Sequence, residues 1–410
     1  MTMRVCPSNN FNWKLFNAQQ QQPRTNMQRF HLSATSSAMS NKDHRLAGRL
    51  FGPRDENGQW WDDKCMFYPV VLDPSSTGSL WRMYYYGRDQ DSWHSEVSPA
   101  LISSGRIGLA ISEDGISWSR YPGPLPGGAI MDPVEANPLC FDCVHIGCSD
   151  LFLHNGEWWM FYFGGSLEET IFGPQMRTMK GIKMHVGLAK SSDGISFVRN
   201  EVPVLDLGDK GEWDELLVAW ARVVPPKLHG SNKWLMTYCS IEKTSSAGCF
   251  AIGSAISDNG ETWEKRGKVL ERGAPGAWDD GGVGRHHVLY VDGQYIMFYE
   301  GVNSQGIHAI GVAFSTDGQQ WRKSVEPWSQ PGGPIFTSTD DKEAWDSGGI
   351  SCPHVLKFKD EHYLLYYVGT NSSKELSCMG LAISEGLNIR SWKRIGPSVV
   401  NKRRPASWTL

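Results

Sequence analysis

Residues Ile107–Tyr121 read IGLAISEDGISWSRY: an apolar run, a Ser-x-Asp-Gly turn, then a second run carrying a Trp and a basic residue. The chain repeats this stretch. HVGLAKSSDGISFVRN begins at His185, AIGSAISDNGETWEKRG at Ala251 and AIGVAFSTDGQQWRKS at Ala309. A fifth copy, CMGLAISEGLNIRSWKRIG from Cys378, loses the Asp-Gly pair but keeps Gly380, Leu381, Ala382, Ser384 and Trp392. Asp-Gly or Asn-Gly between two strand-like runs signals a hairpin, on the reasoning that both turn residues must tolerate positive φ. The copies lie roughly 60–80 residues apart, the spacing of whole four-stranded units rather than of a short solenoid repeat. Five such hairpins predict an all-β fold, a five-bladed β-propeller.

The text between hairpins supplies the other strands. Each unit opens on an aromatic-Asp pair: Trp61-Asp62, Phe141-Asp142, Trp213-Asp214, Trp278-Asp279 and Trp345-Asp346. A first, inner strand follows, then a turn such as His154-Asn155-Gly156 or Val291-Asp292-Gly293. Next comes an aromatic strand: Trp81–Tyr86, Trp158–Phe163, Trp234–Cys239, Tyr295–Glu300 and Tyr363–Val368. The hairpin completes a set of four, as a propeller blade requires. A pair that recurs in every blade does the same job in each, so the repeated Asp residues are read as structural, capping the loop into the inner strand.

Composition fits this fold. In 410 residues there are 44 Gly, 22 Pro and 18 Trp, suited to many turns and to aromatic packing between sheets. A net charge of −4 gives no footprint for a nucleic-acid partner. No apolar run reaches the ~18 residues of a membrane span. Residues 1–42 differ from the rest: they lack Asp and Glu, while Arg4, Lys14, Arg24, Arg29 and Lys42 supply positive charge. With the Ser- and Thr-bearing HLSATSSAMS at its end, this leader (1–45, ahead of a propeller over 46–410) has the composition of a transit peptide, so a soluble plastid protein is expected, with a mitochondrial one or a disordered cytosolic tail as the alternatives. The nine Cys form no even framework and are read as mostly free thiols. Cys140, Cys143, His145 and Cys148 lie close enough in sequence to hold zinc, but no second ligand pair stands at finger spacing.

Function is expected where non-repeating residues gather. Long connections in a blade fall between its second and third strands and between blades, on the face that also receives the start of each inner strand. Those starts are Phe67-Tyr68-Pro69-Val70, Gly147-Cys148-Ser149-Asp150, Ala221-Arg222-Val223-Val224, Gly284-Arg285-His286-His287 and Ser351-Cys352-Pro353-His354. Alternation along a strand would put Tyr68, Cys148, Arg222, Arg285 and Cys352 at one level, and Asp150, His287 and His354 with two valines at another. Arg and Asp are almost never fully buried unpaired, so these positions predict an axial pocket, or else an Asp150 that merely neutralises Arg222 or Arg285. Asp150, His286, His287, His354 and Tyr68 are the candidate proton-transfer groups. Arg222, Arg285, Ser149 and Cys352 are candidates for binding a small polar or anionic ligand.

With its aromatic-Asp openings and IGLA-x-S-x-DG-x-x-W hairpins, the sequence over about residues 50–400 resembles the five-bladed propellers of glycoside hydrolase families 43, 32 and 130. The resemblance implies an enzyme fold. Family 43 enzymes carry three carboxyl groups at the starts of inner strands 1, 2 and 3. Asp150 matches the second, but the base position is Tyr68 and the acid position falls at Ala221 or Arg222. An arginine does not donate a proton usefully, so ordinary hydrolysis would need an acid from a loop, such as Glu135 or Glu168. The resemblance also implies phosphate recognition by an Arg/His cluster, as in family 130. No cofactor is expected, with a single divalent ion on His354, His287 and Asp150 as the alternative, since the family 43 propellers that the sequence resembles often carry a central ion near a blade 5 histidine. The expectation is an enzyme running different acid–base or transfer chemistry, with a non-catalytic ligand-binding or scaffold propeller as the alternative.

Overall fold

A computed structural model describes residues 45–53, 60–89, 105–134, 136–172, 177–242, 250–323, 333–359, 361–373 and 376–396. The leader, residues 1–44 at least, and Glu135 lie outside the described residues. Strand order follows chain order in five antiparallel sheets. Blade 1 is Cys65–Leu72, Trp81–Arg88, Arg106–Ser112 and Trp118–Arg120; blade 2 is His145–His154, Glu157–Gly165, Met184–Ser191 and Val198–Arg199. Blade 3 is Ala219–Val224, Trp234–Ile241, Phe250–Ser257 and Glu264–Leu270, and blade 4 is Gly282–Val291, Gln294–Val302, His308–Ser315 and Arg322–Lys323. Blade 5 is Gly349–Phe358, His362–Thr370, Ser377–Glu385 and Asn388–Arg394. The inner strands contact one another in the cycle 1-2-3-4-5-1, so the predicted ring closes with five blades. No helix among the described residues is long and apolar enough to cross a membrane.

A short strand ahead of blade 1 completes the last blade. Arg49–Phe51 pairs antiparallel with Ser377–Glu385, Arg49 opposite Gly380. Nearby, Trp345 donates its backbone N–H to the Arg45 carbonyl and its Nε1–H to the Ala47 carbonyl, the latter at 2.8 Å.

The recurrent Asp is structural, by a different device from a loop cap. In every blade it accepts the hydroxyl of a buried tyrosine on the second strand: Tyr85–Asp62 2.9 Å, Tyr162–Asp142 2.9 Å, Tyr238–Asp214 2.8 Å, Tyr299–Asp279 3.1 Å and Tyr367–Asp346 3.0 Å. It also pairs with a cation from the fourth strand: Arg120, Arg199, Lys265, Lys323 or Arg394. One carboxylate therefore ties the blade's opening to its second and outer strands. The aromatic partner packs on the third strand. A side chain at Gly108, Gly253, Gly311 or Gly380 would run into Trp61, Trp213, Trp278 or Trp345, and one at Gly187 into Tyr162, which explains the glycine in each copy of the repeat.

The turn chemistry sits elsewhere than the sequence suggests. Both residues adopt positive φ at Asn155-Gly156 (52° and 84°) and Asp292-Gly293 (51° and 82°), between first and second strands. In the repeated hairpins only the glycine does, as at Gly115 (74°) and Gly318 (73°). There the side chains build the turn. The Ser112 hydroxyl accepts from Gly115 N at 2.9 Å, and Asp114 Oδ1 accepts from Ile116 N and Ser117 N at 2.8 and 2.6 Å. Asp193, Asn259 and Asp317 repeat the arrangement. These are connections of five or six residues held by Asx-type bonds, so Asp is chosen for its carboxylate rather than for its tolerance of positive φ.

Candidate functional site

Every inner strand carries a β-bulge at the same height. The ladder skips between Phe67 and Val70, Cys148 and Asp150, Ala219 and Arg222, Gly284 and His286, and Ser351 and His354. At four of the bulges a non-glycine residue is left-handed: Tyr68 (φ 56°), Trp220 (52°), Arg285 (22°) and Cys352 (52°). Such backbone persists only where its surroundings over-determine it, and bulges re-aim side chains.

The bulges settle which residues are level. Val70, Asp150, Arg222, His287 and His354 each face the residue just before the buried tyrosine: Tyr84, Phe161, Thr237, Phe298 and Tyr366. Arg222 thus belongs with Asp150, His287 and His354, and Trp220 takes the place expected for it beside Tyr68, Cys148, Arg285 and Cys352. The two-residue slip falls in blade 3, where the helical turn Pro226–His229 lengthens the connection across which an alignment must count.

At the deeper level the polar side chains reach from blade to blade. Asp150 accepts Val223 N of blade 3 at 2.8 Å, as well as Leu151 N at 2.9 Å. Arg222 Nε donates to the His286 carbonyl of blade 4 at 2.8 Å. His287 Nδ1 accepts Val355 N of blade 5 at 3.2 Å, and His354 Nε2 donates to the Val71 carbonyl of blade 1 at 2.9 Å. Four of the five seams are clasped in this way; blade 1 offers only Val70. All four residues are buried. Burial raises the Asp150 pKa, partly offset by the Arg222 charge, and lowers that of Arg222. Burial and then Arg222 hold His354 down at about 3, and burial with the neighbouring His354 holds His287 well below its usual value. Asp150 and Arg222 spend their hydrogen bonds on backbone rather than on each other.

These commitments do not suit a divalent ion on His354, His287 and Asp150. One nitrogen of each histidine and both Asp150 oxygens are bonded to backbone, and Arg222 adds positive charge beside them. No group of three metal-ligating side chains occurs among the described residues. In the Cys140–Cys148 stretch, the Cys143 thiol turns to the Pro138 carbonyl and His145 Nε2 donates to the Gly181 carbonyl at 2.7 Å. His286 is likewise engaged, with Nε2 2.6 Å from Thr237 Oγ1 and Nδ1 3.4 Å from Cys239 Sγ; burial pushes it down to about 3. Ser149 is 2% exposed, and burial raises the Cys352 thiol to about 12.

At the mouth the arrangement opens. Arg285 Nη1 lies 2.7 Å from Glu300 Oε1, and the Arg285 charge lies close to the Tyr68 hydroxyl. Its guanidinium sits 5.2 Å from the Trp220 ring and 5.8 Å from that of Phe250. His308 Nδ1 lies 2.7 Å from the same Glu300 oxygen, and Cys352 N donates to Oε2 at 3.3 Å. Burial alone would raise the Glu300 pKa, but Arg285, then His308 and the Cys352 amide, hold it below the usual carboxylate range. Glu300, Arg285, His308, Trp220, Phe250 and Asp280 line a cavity of about 640 Å³ between blades 3 and 4. Tyr68, packed against Phe163 and Trp220 with ring centroids 5.4 and 5.7 Å away, fills the mouth beside blades 1 and 2.

Of the sequence-predicted residues, the structure brings Arg285 to the open cavity and Tyr68 into contact with it. Asp150, Arg222, His287 and His354 meet at the deeper level. Glu168 is exposed and paired with Lys183. Sequence reasoning missed Glu300 and His308. A signal for Glu300 was present: the matching second-strand positions are Tyr86, Phe163, Cys239 and Val368, and only blade 4 puts an acid there.

No protein-family profile matches the chain, and no curated protein does. Solved structures do. A glycoside hydrolase superposes with a TM-score of 0.60 at 18% identity, over 92% of this chain and all of its own. Its fold is that of the glycoside hydrolase propellers. A β-1,2-mannobiose phosphorylase from Listeria innocua, solved with β-1,2-mannobiose, gives 0.57 at 13% identity, covering 84% of this chain and 95% of that one. A family 130 structure, from work describing hydrolases that target β-1,2 mannosidic linkages in Candida mannan, gives 0.56 at 15% identity, covering 86% and 97%.

Proposed function

We propose that this propeller is an enzyme of glycosidase ancestry that performs acid–base or group-transfer chemistry on a small polar or anionic metabolite, in the plastid, with His308 as its proton-transfer group. The observation that carries this reading is the His308–Glu300–Arg285 constellation on the cavity between blades 3 and 4. An Nδ1–H donated to an ionised carboxylate fixes the imidazole tautomer and leaves Nε2 as a lone pair, the arrangement by which a carboxylate orients a general base. His308 retains a third of its side-chain surface, so a ligand in the cavity has access to it. Arg285, stacked on two aromatic rings, would position a polar or anionic group of the substrate. Asp150, His286, His287, His354 and Arg222 would act from below, by fixing the inner strands that carry these groups.

Standard glycoside hydrolysis fits less well. It needs one carboxyl group protonated and one ionised. Both carboxylates lining the cavity are held ionised, Glu300 by its neighbours and Asp280 by the amides of Gly276 and Ser304. A second reading, ligand binding without turnover, draws on Arg285 being already paired with Glu300.

The test is metabolite profiling of a strain lacking the protein, complemented with wild type, His308→Asn, Glu300→Gln or Asp150→Asn. A polar metabolite should accumulate in the deletion strain and be consumed by purified wild-type protein. His308→Asn and Glu300→Gln should fail to restore the profile while remaining folded. Full rescue by both removes the catalytic reading; binding of the metabolite without consumption favours the second.

A further inference from the structure

We propose that the adjacent His287–His354 pair makes the two seams of blade 5 open on acidification, and that Glu300 loses its anchorage in the same step. The pair joins blade 4 to blade 5 and blade 5 to blade 1, its ring centroids 4.1 Å apart. His287 can accept the Val355 amide only while Nδ1 is unprotonated, so adding a proton there removes the hydrogen bond across the 4–5 seam. His354 already donates from Nε2 to Val71; a proton on Nδ1 finds no acceptor among the described residues and adds charge in a buried place.

The neighbours make protonation costly rather than easing it. Blade 3 presents the Arg222 cation to both rings, blade 4 adds His286, and blade 1 has Val70 at this level. The Asp150 carboxylate of blade 2 faces Arg222 and spends its oxygens on backbone amides. The inner strand of blade 5, Gly349–Phe358, also supplies the Cys352 amide to Glu300, so slackening that strand slackens the mouth. This last link rests on the site reading above; the opening of the seams does not.

The experiment is hydrogen–deuterium exchange on the full chain at pH 7.5 and 5.0, corrected for the intrinsic chemical rate. The opening equilibrium of Gly349–Phe358 should rise about tenfold per histidine for each pH unit below ~6.5, the unfolded histidine value. Ala219–Val224, whose seam to blade 2 is held by Asp150, should change much less. His287→Gln with His354→Gln keeps an acceptor and a donor but cannot titrate, and should abolish the difference; His287→Gln alone serves if the double variant does not fold. An equal rise in both strands, no rise in either, or a rise that survives the glutamines overturns the proposal. Because exchange needs no substrate, failure of the catalytic reading leaves this result untouched, and the reverse holds.

Discussion

Glu300 sits at a strand position that is apolar or aromatic in the other four blades, and it is compensated by Arg285, His308 and the Cys352 amide. Removing it strands a largely buried guanidinium. Glu300→Ala should cost about 3 kcal/mol, read as a shift in urea midpoint at unchanged slope, whereas Glu300→Gln keeps an acceptor and should cost less than half of that. The same reasoning applies to Asp62, which has no exposed surface and is bonded to Tyr85 and Arg120. Asp62→Ala should cost about 3–5 kcal/mol, and a midpoint shift under 1 kcal/mol would mean that the tie between opening and outer strand contributes little. Recurrence made Asp62 legible as structural. Glu300 was legible only by comparing the five second strands, and nothing local marked His308, because its meaning comes from a carboxylate across the sheet.

For the single element, the hairpins separate what sequence carries from what it conceals. The Asp-Gly signal correctly located a connection, since few other residue pairs serve a tight reversal. It did not reveal that the carboxylate, rather than a left-handed backbone, makes the turn. Asp317→Ala removes the acceptor for Gln319 N and Gln320 N, at 2.8 and 2.7 Å, and should destabilise by about 1 kcal/mol, like the loss of a helix N-cap. Thermal unfolding followed by circular dichroism would register it. The bulges were invisible to pattern reading because an inserted residue changes no composition. All five blades share the bulge, however, so it was the long connection after its strand that put Arg222 one level too high. The strand Arg49–Phe51 was similarly silent, three residues without periodicity. Deleting residues 45–52 removes its pairing with Ser377–Glu385 and both Trp345 bonds, so the truncated chain should melt well below one beginning at residue 45.

Across the whole molecule, five repeats gave the architecture, while the site depended on which non-repeating residues the ring turns toward one another. The buried neutral histidines also set how the protein responds to acid. His145, His286 and His354 are held down at about 4, 3 and 3 by burial. A folded pKa below the unfolded ~6.5 means that stability is full above pH ~6.5 and falls as pH drops toward those folded values. Each such histidine contributes up to about 1.4 kcal/mol per pH unit, so unfolding free energy should decline steeply between pH 6.5 and 4.5. A flat profile there would show that the three rings find solvent before the fold opens.

The pairing of Arg49 with Gly380 also fixes an order of events. The strand Arg49–Phe51 must wait, unpartnered, until more than three hundred further residues have left the ribosome. The blades can form one after another, but the circle cannot close before blade 5 has been made. Until it does, the third strand of blade 5 keeps a free edge for pairing with a stranger. Closure of the ring, rather than formation of any single blade, is therefore the step at which chaperones should matter most to this protein.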